Sequence, residues 1–91
     1  MGLKSTTNCL GYQQITDVSS STALTVPTGA TMALIVADTQ AVRWRDDGTA
    51  PSASVGMPLA IGVIMSYDGD LKAIRFIQQT ASAVLNVAYY A

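Results

Sequence analysis

The chain has 91 residues, five basic and six acidic side chains, no histidine and a net charge of −1. That balance excludes the basic stripe of a nucleic-acid binder, and no apolar run approaches the ~20 residues needed to cross a bilayer. Cys9 is the only cysteine, so an intrachain disulfide is excluded, and without histidine or a cysteine cluster a zinc staple is too.

Taken in chain order, residues 1–11 read as an extended N-terminal arm without the apolar core of a signal peptide. Residues 12–91 read as one domain. Tyr12–Thr16 is the first predicted strand, followed by the polar loop Asp17–Ser21. Thr22–Val26 alternates and is stopped by Pro27-Thr28-Gly29. The run Met32–Thr39 is apolar, and its length fits a strand buried on both faces. Ala41–Asp46 is the next predicted strand, and its alternation sets Arg43 and Arg45 against Trp44. A loop holding Gly48, Pro51, Gly56 and Pro58 follows. Leu59–Ile61 and Val63–Tyr67 are the next strands, and Asp68-Gly69-Asp70 signals a hairpin into Leu71–Gln78. In the last strand, Val84–Tyr90, Leu85, Val87 and Tyr89 share one face while Asn86, Ala88 and Tyr90 share the other. About seven or eight short strands with turns every 8–12 residues and no helix predict an all-β fold. The expected form is a compact antiparallel β-sandwich or small jelly-roll-like barrel.

A chain this short buries only about 60–65% of its unfolded surface. Apolar residues make up 49% of it and charged residues 12%, against about 25% charged in an ordinary domain. With disulfides and metals gone, self-association is the remaining support, and the missing charge predicts an exterior covered by neighbours.

Reaction chemistry is hard to place. All the acidic residues are aspartates, and the commonest general base is absent. Asp46/Asp47 and Asp68/Asp70 flank glycines, where aspartate favours turns by bonding its own backbone. No catalytic, metal or cofactor site is expected. The candidate contact residues are Arg43, Trp44, Arg45, Asp46, Asp47, Arg75, Tyr89 and Tyr90. The arginines are set to fork onto carboxylates, with the Asp68–Arg75 hairpin near enough to share an ion-pair cluster. Of the two terminal tyrosines, one is expected to pack inward and the other to face out.

Leu24-Thr25-Val26-Pro27-Thr28-Gly29-Ala30, the strand from Met32, then Val42-Arg43-Trp44-Arg45-Asp46-Asp47-Gly48-Thr49-Ala50-Pro51, Val55–Leu59, Leu71–Ile77 and the tyrosine-ended last strand stand in a characteristic order. Over residues 22–90 the chain resembles small structural proteins of tailed bacteriophages. The Arg-Trp-Arg-Asp-Asp-Gly-Thr-Ala-Pro segment carries most of that resemblance. It implies a non-enzymatic β-sandwich at the capsid surface of the virion, made in the host cytoplasm. Such a protein decorates or cements the shell, with its own copies (a homotrimer) and the major capsid protein or another virion protein as partners. Nucleic acid and membrane are not expected partners. The alternatives are a neck, tail or fibre-base component and, from a different class, a carbohydrate-binding module with Trp44, Tyr89 or Tyr90 as its platform.

Overall fold

Period-two alternation decides the architecture. The computed structural model describes residues 8–91, which form eight strands and no helix. They are β1 (Cys9–Ile15), β2 (Thr22–Ala23), β3 (Met32–Asp38), β4 (Val42–Arg45), β5 (Met57–Leu59), β6 (Ile64–Tyr67), β7 (Arg75–Gln78) and β8 (Val84–Tyr90). In β8 the residues Leu85, Val87 and Tyr89 are buried, and the alternate ones are half-buried. Ala33, Ile35 and Ala37 repeat the pattern in β3. These inward rows meet Phe76, Ile74 and Val42 to make the core.

The strands form two four-stranded sheets with the orders β1-β8-β3-β6 and β2-β7-β4-β5. Every ladder is antiparallel, and one isolated parallel bridge joins Ala37 to Ile61. The chain crosses between sheets after almost every strand, and only β4 and β5 are both consecutive and paired. This is the strand order of an eight-stranded jelly roll.

Three expectations are corrected. The sequence 68–70 is not a hairpin, because β6 lies in one sheet and β7 in the other. Residues after Asp70 form a tight turn, with the Ala73 and Ile74 amides donating to the Asp70 carbonyl at 3.0 and 3.2 Å. Leu71 and Ile74 are driven into the core there, so burial overrides the local Asp-Gly signal. The arm boundary also moves. Residues 9–11 belong to β1, and Asn8 exchanges two backbone bonds with Ala91 at 2.9 and 3.1 Å. Residues 1–7 of the expected arm lie outside the described residues. Finally, β3 is not buried on both faces. Met32, Leu34 and Val36, on the opposite face from the buried Ala33, Ile35 and Ala37, are only half-buried.

Polar ties close the open sides of the sandwich. The Gln13 side-chain oxygen accepts from the Tyr89 hydroxyl at 2.6 Å and from the Thr25 amide at 3.1 Å, and its NH2 donates to Thr25 Oγ1 at 3.2 Å. Burial pushes the Tyr89 hydroxyl up to about 12, which keeps it a donor at any ordinary pH. On the other side the Tyr67 hydroxyl donates to Asp46 at 2.7 Å. In the turn between β3 and β4 Thr39 has a φ of 65°, unfavourable for a β-branched residue. Its hydroxyl donates to the Ser82 carbonyl at 2.6 Å and holds it there.

The two faces of β3 should therefore respond differently to truncation. Ile35→Ala is expected to lower the unfolding free energy by about 2–5 kcal/mol, and Leu34→Ala by about 1 kcal/mol or less. Urea denaturation of the two variants measures the contrast, and equal losses would mean that the outer face is covered.

Candidate functional site

The Arg-Trp-Arg segment folds as its alternation requires. The pairs Arg43↔Ile77 and Arg45↔Arg75 lie on the outer side of the β2-β7-β4-β5 sheet, and Trp44↔Phe76 on the inner side. The chemistry of the arginines differs from expectation. Arg43 donates to the carbonyls of Ala53 (3.2 Å) and Gly56 (2.8 Å). With the Gln79 amide oriented to satisfy both groups, its oxygen accepts from Arg43 Nε and Nη2, each at 3.0 Å. Arg43 therefore ties down the 51–56 loop. Gly56 is required beside it. Its φ is 144°, and a Cβ there would meet the Trp44 carbonyl at 3.1 Å and Pro51 at 3.2 Å.

The expected ion-pair cluster reduces to one exposed pair. Arg45 forks onto Asp47 and also sits opposite Arg75 in the ladder, so Asp47 offsets a like-charge contact. The Arg45 guanidinium holds the Asp47 carboxyl below its usual range. Arg75 meets no carboxylate. It donates to the carbonyls of Lys72 (2.8 Å) and Ile74 (3.1 Å), finishing the turn before β7. Asp46 is taken by Tyr67. Asp17, Asp38 and Asp70 behave as turn residues, accepting from the Ser19, Thr39 and Lys72 amides.

Trp44 is half-buried and stands edge-on to Tyr67, with ring centres 6.0 Å apart and planes at 63°. Its free side lines an open cleft of about 540 Å³ with Val55 and Met57, walled by Arg45 and Asp47. Of the terminal tyrosines, Tyr89 packs inward and Tyr90 faces out. No group of three or more potential metal ligands occurs among the described residues.

The surface that sequence reasoning missed lies on the opposite sheet. The outer face of β1-β8-β3-β6 has the cross-strand rows Tyr12–Ala88–Leu34–Ser66 and Gln14–Asn86–Val36–Ile64. Tyr12 is 65% exposed and Ile64 67%. Ile61 (53%) and Val63 (52%), just before β6, are also exposed. No charged side chain stands within those rows. Polarity comes from a small network in which Asn86 Oδ1 accepts from the Tyr12 hydroxyl at 2.6 Å and from Gln14 at 3.0 Å. The signal was present in the unbroken apolar run from Met32 to Ala37, which supplies apolar residues to both sides of a central strand.

No protein-family model matches the chain, and comparisons with characterised proteins and with solved structures return no match.

Two outcomes test the reading of the charged segment. Arg43→Lys cannot reproduce a fork over several carbonyls and should cost about 1–2 kcal/mol, with faster amide exchange at Val55, whose amide donates to the Ser52 carbonyl. The Arg45–Asp47 pair has a definite pH sign. Because the folded-state pKa of Asp47 is lowered, its contribution is complete above the ordinary aspartate value of about 3.9 and is lost as pH falls through the lowered value. Carboxyl NMR titration should return Asp47 toward the ordinary value in Arg45→Gln. An unchanged midpoint would show that Arg45 is not the cause.

Proposed function

We propose that this chain is a non-enzymatic structural protein of a tailed-bacteriophage virion, decorating or cementing the capsid through contacts with its own copies and the major capsid protein. The observation that carries this reading is the largely apolar outer face of the β1-β8-β3-β6 sheet, whose strands carry one charged residue, Asp38, at the end of β3. Contiguous exposed apolar surface on a soluble protein often marks a contact site. The low charge of the whole chain agrees with this. So does the jelly-roll order, an architecture used in viral shells but also in lectins and enzymes, so that it ranks readings and does not assign one. The phage setting rests on the sequence resemblance over residues 22–90.

Each contact is expected to be modest, and a repeated shell adds many of them together. The main alternative is a station at the neck, tail or fibre base. A carbohydrate-binding module is less well supported, because Tyr89, one of its three candidate platform residues, is buried.

Image reconstruction of particles carrying the protein separates the stations. Hundreds of copies on the shell are expected, and a dozen or fewer would move the protein to the neck or tail. Leu34→Glu places a charge at the centre of the outer face. It should strip the protein from particles while far-UV circular dichroism and the unfolding midpoint stay near wild type. Full occupancy by that variant would reject the face as the attachment surface.

A further inference from the structure

We propose that two copies of this chain pair antiparallel along their β1 edges, joining the two β1-β8-β3-β6 sheets into one eight-stranded sheet about a two-fold axis normal to it. This goes beyond the virion reading and stands without it. It also differs from the trimer that the sequence resemblance implies.

The argument begins with the edges. Each sheet ends in two strands whose outer backbone groups have no ladder partner, and proteins ordinarily blunt such edges. Three of the four are blunted. β2 is two residues long. β5 is three residues with Pro58 at its centre. β6 is four residues, and the chain entering it is turned aside at Gly62, whose amide is held by the Ala37 carbonyl at 3.0 Å. β1 is different. It runs seven residues, Cys-Leu-Gly-Tyr-Gln-Gln-Ile, with no proline and no charged side chain. A register shift between Cys9 and Gly11 disturbs only its start, and pairing with β8 is regular from Tyr12 to Ile15. Among the described residues, the backbone of β1 bonds no segment other than β8.

A second copy fits this edge better than the alternatives within the fold. Pairing β1 with the β6 edge of a neighbour would propagate head to tail and leave the assembly open. Pairing β1 with β1 matches equal lengths. The two-fold axis brings each free N–H of one copy to a free C=O of the other and closes the assembly at two. The uncharged strand offers no repulsion to its own copy.

The test uses the full chain. Sedimentation velocity over a concentration series up to about 1 mM, where even a weak pair forms, is expected to show a dimer. An antiparallel pair about such an axis sets one residue directly opposite its own copy. In a Cys9→Ser background, single cysteines placed in turn at Tyr12, Gln13 and Gln14 should therefore include one that oxidises to a covalent dimer. Tyr12→Lys, at a site already 65% exposed, brings like charges near the axis and should weaken association by about tenfold while circular dichroism stays unchanged. A monomer throughout the series, a trimer, or a dimer with no cross-link at any of the three positions would overturn the proposal. So would a dimer that survives Tyr12→Lys but is dissolved by Leu34→Glu, since that pair would be held face to face.

Discussion

A two-layer sandwich can bury one face of each of its sheets and no more. The protein depends on that constraint. Its inner faces are filled by Ile35, Phe76, Leu85, Val87 and Tyr89, all fully or almost fully buried. The β2-β7-β4-β5 sheet meets the limit in the usual way, with Arg43, Arg45 and Arg75 on its outer side. The β1-β8-β3-β6 sheet does not. Leu34, Val36 and Ile64 stand where the other sheet carries arginines. With so few charged residues in the chain, the two outer faces are chemically unlike. One is fit for water and the other for a contact.

The polar groups inside the fold are placed to keep the sandwich from opening along its sides. Gln13 reaches in from an edge strand and replaces a missing ladder bond by holding the Thr25 amide and the Tyr89 hydroxyl. Tyr67 and Asp46 make the corresponding tie on the opposite side. A Cβ on Gly69 would come within 2.5 Å of the Tyr67 hydroxyl, so that tie also depends on a glycine. These bonds stabilise modestly, but leaving either tyrosine hydroxyl without its partner would be costly. They let the sheets stay in register without a disulfide or metal, and leave the outer face of β1-β8-β3-β6 free of structural duty.

Much of this was legible in the residues, and the failures have a common cause. Alternation in Val84–Tyr90 identified Leu85, Val87 and Tyr89 as one face, and alternation around Trp44 separated it from the arginines. Both are properties of a single strand. Whether the chain after Asp-Gly returns to the same sheet or crosses to the other is decided by where Leu71 and Ile74 find apolar partners, and no local turn signal contains that information. The same limit applies to the candidate site. A dense group of charges beside a tryptophan resembles a contact surface until the loop it precedes is folded. The carbonyls of Ala53 and Gly56 then take Arg43, and Tyr67 takes Asp46. The apolar run of β3 was read as doubly buried, which is true of its composition. One chain supplies cover for only one of its sides.

That last difference bears on how such a surface is recognised. Charged residues attract notice in a sequence because they are specific, yet a charge satisfied by its own chain has little left for a partner. Ordinary apolar residues carry no motif, and their meaning depends on whether anything lies above them. In β3 the inward residues are alanine, isoleucine and alanine, and the outward ones are methionine, leucine and valine, so the larger apolar volume of the strand points away from its own core. Selection for a stable monomer alone would favour polar replacements at the outward positions, because they cost the core nothing and improve solubility. The proposed contact would use those outward apolar residues.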